Sequence, residues 1–173
     1  MPDIIAEVAE DLYACVCAQV ALLADPPNRC CLLAGATFEL GVAINEDMCR
    51  CGTAWVRVAS VAPSVTFPSV QEEPRNCRPP MYAVTLEMGV ARCPPIGTTQ
   101  DLPTCPDWLA YSRKVLDDAA ALRKAVFCCF GPMLSSRGLK YVLGAWEPFG
   151  PEGLCGGGIQ SVTVPVMACD ECG

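Results

Sequence analysis

The chain has 173 residues, of which twelve are lysine or arginine, nineteen are aspartate or glutamate and none is histidine, giving a formal charge of −7. Without imidazole it lacks the usual general base, metal ligand and pH switch near neutrality, which excludes serine and cysteine hydrolases of the ordinary kind. The acidic balance argues against a protein that grips nucleic acid, because affinity for phosphate comes mainly from Lys and Arg, but it leaves room for one that lets DNA pass.

One domain of this length buries about 70% of the surface its unfolded chain exposes. The fourteen cysteines are therefore not needed as staples for a core that is too small, and they call for another explanation. Met1-Pro2-Asp3 has no basic patch, and Glu7, Glu10 and Asp11 interrupt the first apolar region. No secretory signal is expected, and the chain is expected to fold in the cytosol. The charge-free run from Leu12 to Ala24 is shorter than the about 20 residues a membrane span needs, so no membrane association is expected.

In chain order, Ile5, Val8, Leu12, Val16 and Leu23 repeat at helical spacing and predict a helix over 4–24, capped by Asp3 and ended by Asp25-Pro26-Pro27. Period two then predicts strands over Thr37 to Ile44 and Ala54 to Val61, with a turn between them that holds Cys49 and Cys51. Residues 62–80 contain five prolines and read as a long loop, a kind that is usually functional or mobile. Alternation from Tyr82 to Val90 is the cleanest strand signal, ending at Cys93-Pro94-Pro95. Thr104-x-x-Asp107 predicts a capped helix running to Gly131-Pro132, with Trp108, Val115, Ala119, Leu122, Val126 and Phe130 as its apolar stripe. Arg113, Lys114, Asp117, Asp118, Arg123 and Lys124 read as its solvated side. Strands over Tyr141 to Trp146 and Ile159 to Val166, parted by a glycine-rich turn, complete the order α-β-β-β-α-β-β. The expectation is a single α+β domain, with a mixed, mostly antiparallel sheet flanked by two helices and a proline-rich loop at 62–80.

A structural zinc site wants two knuckles of the form C-x₂₋₄-C. The sequence supplies only Cys169-x-x-Cys172, whose intervening Asp170 and Glu171 raise a thiol pKa rather than activate it. No metal, cofactor or catalytic residue is expected. Cys15, Cys17, Cys128 and Cys129 lie in helices and read as small packing residues. Cys30, Cys31, Cys49, Cys51, Cys77, Cys93, Cys105 and Cys155, at element ends and loops, are candidates for disulfides if the protein leaves the reducing cell. Each would stabilise by about 2–4 kcal/mol, and their pairing is open. "LCGGGIQ" at 154–160 precedes a strand and lacks Lys-Ser/Thr, so it reads as a turn rather than a phosphate loop. Glu72-Glu73 and Asp117-Asp118 read as surface charge.

The segments "AWVRVASVAPSVTFP", "YAVTLEMGVARCPP", "ALRKAVFCCF" and "VLGAWEPFGPEGLCGGGIQSVTV", in this order over residues 30 to 166, resemble a cysteine-rich family of neck proteins from tailed siphophages of actinobacteria, the tail terminators and head-to-tail connector components. The resemblance implies a structural, non-enzymatic virion protein at the head-tail junction, assembled in the host cytoplasm. Its subunits would form a hexameric ring that caps the tail tube. Its partners would be further copies of itself, the major tail tube protein, the connector or stopper protein, and double-stranded DNA passing through the lumen unbound. In that setting Phe67, Arg75 and Arg78 of the proline-rich loop are candidates for contact with a neighbouring subunit. Glu39, Glu46, Asp47, Glu72 and Glu73 are candidates for the lumen, and disulfides would form once the virion meets an oxidising medium. The rival readings are a stopper or adaptor of the same neck, and a cytosolic metal- or thiol-dependent protein. A helical, twelve-fold adaptor fits the strand-rich pattern less well.

Overall fold

A computed structural model of the chain describes residues 4–33, 52–70, 81–95, 97, 102–152 and 155–167. Helix α1 spans Ile4–Val20, and strands β1, β2 and β3 span Arg29–Leu33, Thr53–Ser64 and Met81–Arg92. Helix α2, Cys105–Ala125, continues through a π turn, Val126–Phe130, into the short helix α3, Gly131–Ser136. Strands β4, Val142–Glu152, and β5, Cys155–Met167, follow. The sheet order is β1-β2-β3-β5-β4, with β1 parallel to β2 and every other pairing antiparallel. The architecture is therefore α+β, a mixed five-stranded sheet with two main helices. No described helix is long and apolar enough to cross a membrane.

Strand periodicity explains how the layers form. Val84, Leu86, Met88 and Val90 of β3, Ala54 and Val56 of β2, and Val162 and Val164 of β5 are buried in one cluster with Leu12 and Val16 of α1 and Leu122, Val126 and Phe130 of the second helix. Both helices thus cover the same face. Alternate residues carry polar groups on the other face: Arg57 Nε donates to Glu87 Oε2 at 2.8 Å, and the Thr85 and Thr163 hydroxyls lie 3.2 Å apart. Slipping β3 by one residue would exchange these two sets, with each buried Val, Leu or Met worth about 1.5–3 kcal/mol, so the register is firmly held.

Several elements differ from the sequence expectation. Helix α1 stops at Val20 rather than Ala24, and short-range bonds such as Leu23 N to Val20 O tighten the exit. Pro26 disfavours helical backbone at Asp25, so the chain must leave the helix before it. Strand β1 is an addition: "RCCLL" is too short to show alternation. The expected strand over Thr37 to Ile44 lies outside the described residues. Of the expected loop 62–80, Ala62, Pro63 and Ser64 extend β2, and a tight turn follows in which Ser69 N donates to Thr66 O at 2.8 Å. Residues 71–80, with Arg75, Cys77 and Arg78, lie outside the described residues. "CGGG" at 155–158 opens β5 instead of forming a turn, because Gly158 sits where a Cβ would come within 2.3 Å of the Trp146 ring.

Gly131-Pro132 does not end the second helix. Leu122, Val126, Phe130 and Leu134 are all buried, a spacing of four that drifts off the stripe of a 3.6-residue helix. The π turn, with Gly131 N–H bonded to Val126 O, takes up the extra residue. It also replaces the i→i−4 geometry in which a proline ring clashes. The stop comes instead at Gly138, φ +71°, where Leu139 N donates to Leu134 O at 2.9 Å and Gly138 N to Ser135 O at 3.0 Å, a Schellman closure. A Cβ on Gly138 would meet nothing within 4 Å, so the cost of Gly138→Ala is one of backbone alone. We expect it to destabilise by about 1 kcal/mol in denaturant unfolding, with Gly138→Asn recovering part of the loss. Equal stability of wild type and Gly138→Ala would contradict this assignment.

Candidate functional site

Helix α2 stands between two concavities at the Arg92 end of the sheet. Its N-terminus is set by the expected capping box: Thr104 N donates to Asp107 Oδ2 at 2.8 Å and Thr104 Oγ1 to the same oxygen at 2.6 Å. Those hydrogen bonds hold the Asp107 carboxyl below its ordinary value.

On the inner side of α2, Arg92 Nε donates to Asp118 Oδ2 at 2.9 Å and Arg92 Nη2 to Asp118 Oδ1 at 2.6 Å, with the two residues 6% and 3% exposed. This corrects the reading of Asp118 as surface charge. Asp118 lies three residues after Val115 and four before Leu122, on the apolar stripe, and Arg92 continues the inward series of Val84, Leu86, Met88 and Val90. That coincidence was legible. Burial raises the Asp118 carboxyl, with the Arg92 hydrogen bonds pulling the other way. Burial also weighs against the Arg92 charge, but Asp118 outweighs it and holds the guanidinium above its ordinary value.

From this pair a cleft of about 470 Å³ opens between α2 and the loop after α1, lined by Asp25, Gly52, Arg92, Cys93, Tyr111 and Lys114 among others. Lys114 Nζ lies 2.8 Å from Asp25 Oδ2, and Arg92 Nη1 lies 3.8 Å from the same oxygen. The Lys114 hydrogen bond, against a smaller opposing effect of burial, holds the Asp25 carboxyl low. Burial first, then the charge of Asp118, pushes the Tyr111 hydroxyl up. Acids and bases here answer one another, so the cleft is a polar seam that fixes α2 on the sheet.

On the opposite flank, Ser112, Val115 and Leu116 face Trp146, Pro148 and Phe149 of β4 across a groove of about 260 Å³. Phe149 in turn meets Trp55, with ring centroids 6.2 Å apart. Leu116 is 59% exposed, Leu109 is exposed beside it, and Trp108 is 37% exposed with its ring edge-on to Tyr111 at 6.0 Å. Trp108 therefore stands outside the core stripe, because burial of α2 begins only at Val115. At the far end of the sheet, Val61, Val65, Val70 and Met167 are each exposed, and Phe67 is half-buried in the turn after β2.

Cysteine pairing differs from expectation for three helical residues. Cys15 is bonded to Cys129 and Cys17 to Cys30, each with Cα atoms 5.7 Å apart. Cys155 is also disulfide-bonded. Cys31, Cys105 and Cys128 are thiols, Cys93 sits exposed at the cleft, and Cys49 and Cys51 lie outside the described residues. The helical cysteines were read as packing groups because spacing within one element says nothing of a partner 114 residues away. Among the described residues no group of three or more Cys, Asp or Glu is placed to hold a metal ion.

Asp118→Asn leaves the buried guanidinium with only the more distant and more exposed Asp25 and is expected to cost about 3–5 kcal/mol in chemical unfolding, whereas Arg92→Met with Asp118→Leu should lie near neutral. A loss under 1 kcal/mol for Asp118→Asn, by the same scale, would show that the pair is solvated. A scan of the chain against protein-family models finds no match, and a search of curated proteins finds none.

Proposed function

We propose that this chain is a structural subunit of the head-tail junction of a tailed phage, a tail terminator whose copies close into a ring, six by the resemblance, on the tail tube. The observation that carries the reading is the pair of unlike apolar surfaces at opposite ends of one sheet. The groove beside α2 is lined by Leu116, Trp146 and Phe149, with Trp108 and Leu109 exposed earlier on the same helix, and the β2 end carries Val61, Val65 and Val70. Two different patches suit a heterologous contact, in which each subunit offers one surface to the neighbour before it and another to the neighbour after, and the series closes when the rotation allows.

Charge supports the same reading. Within the described residues ten acids stand against nine bases, so the net −7 is carried mainly outside them, where Asp3, Glu39, Glu46, Asp47, Glu72, Glu73, Asp101, Asp170 and Glu171 outnumber Arg50, Arg75 and Arg78. Acidic segments on a balanced scaffold suit a conduit, since a negative lumen repels phosphate and DNA passes without sticking. The tube protein below and the connector or stopper above would meet the two rims of the ring.

Particles produced without this protein are expected to show tails of uncontrolled length or tails unattached to heads by electron microscopy. Normal virions from the deletion would overturn the proposal.

A further inference from the structure

We infer that the two disulfides of α1 form a graded redox latch, in which Cys17–Cys30 opens to a thiol reductant while the protein stays folded and Cys15–Cys129 opens only with the core. Cys15 and Cys17 are two residues apart, so they leave the helix about 200° apart around its axis. Cys15 reaches the π turn of the second helix, and Cys17 reaches β1, the outermost of the described strands on that side.

The surroundings of the two bonds differ. Cys15 is 1% exposed and packs in the central cluster, its Sγ 3.7 Å from Met133 Sδ, whereas its partner Cys129 is half-buried and packs against that cluster from outside, as Cys30 also does. Cys17 and Cys30 are both half-buried at the rim. Strand β1 has five residues, no fully buried position and an exposed Leu32. Its further tie to α1 is the hydrogen bond from Tyr13 Oη to Cys30 O at 3.4 Å. Short edges with few buried contacts open locally at low free energy, whereas core elements open only near the global limit.

The chemistry follows from access. A dithiol reductant attacks one sulfur of Cys17–Cys30 as thiolate, giving a mixed disulfide and one protein thiolate, which takes up a proton. The reductant's second thiol then displaces the other protein sulfur. Two electrons and two protons have passed to Cys17 and Cys30, and the reductant leaves as a cyclic disulfide. Attack at Cys15 Sγ requires the central cluster to part first, and attack at the half-buried Cys129 must be made within a continuous helical segment rather than on a short strand. In a reducing compartment the chain would keep α1 on the second helix but release it from the sheet edge, and an oxidising medium would close the latch. This inference does not depend on the ring reading.

The oxidised full-length protein, titrated with dithiothreitol and pulse-alkylated, tests it by peptide mass spectrometry, with far-UV circular dichroism followed in parallel. Cys17 and Cys30 should become labelled at least about tenfold faster than Cys15 and Cys129 with the helical signal unchanged, and Cys15 and Cys129 should follow as that signal falls. Simultaneous labelling of all four, or earlier labelling of Cys15 and Cys129, would overturn the inference. Cys17→Ser with Cys30→Ser should fold, keep Cys15–Cys129 closed and show only the late step. If Cys15 in that variant labels as fast as Cys17 does in wild type, the grading fails, and if the variant does not fold, the wild-type order of labelling decides.

Discussion

The ionic fork between Arg92 and Asp118 is the constraint on which the placement of α2, and of the cleft and groove on its two flanks, depends. It joins β3 to α2 beside a largely apolar layer. A buried pair of this kind adds little net energy over apolar residues of the same volume, but its planar, two-bond geometry accepts one position of the helix along the strand. Because one flank of α2 lines the salt-bridged cleft and the other lines the apolar groove, fixing the helix fixes both. Lys114 and Asp25 extend the seam to the loop that leaves α1.

The other helix is held by a different means. Helix α1 buries Val8, Leu12, Val16 and Val20 against the sheet and the second helix, and the two disulfides tie it in diverging directions. Arg137, after α3, adds contacts of 3.2 Å to Glu7 and 2.9 Å to Asp11, exposed enough to contribute little each. The π turn serves this arrangement twice over. It keeps Val126, Phe130 and Leu134 on the buried side, and it carries Cys129 to meet Cys15.

Much of the scaffold was legible because its signals are local. Alternation marked β3, the capping box marked the start of α2, and helical spacing marked α1, since in each case the burying face repeats within a few residues. Strand β1 was illegible because five residues with two adjacent cysteines carry no period. The continuation through Gly131-Pro132 depends on a wider turn that no propensity encodes, while the true stop at Gly138 was available as Ser-Arg-Gly-Leu. Asp118 could have been found by asking which acid falls on the apolar stripe. The cysteine partners could not, because pairing is a property of the folded chain. As for the surfaces, Trp108 was assigned to the core from its spacing, and only the start of the sheet contact at Val115 shows that it stands outside.

The proposed function rests on shape: a cross-linked scaffold with exposed apolar residues at both ends of its sheet. We propose that these surfaces join copies into a closed ring. Native mass spectrometry of the purified, oxidised protein tests it most directly. The account predicts a single discrete homo-oligomer, with six copies as the number the resemblance implies. A monomer at every accessible concentration would contradict it.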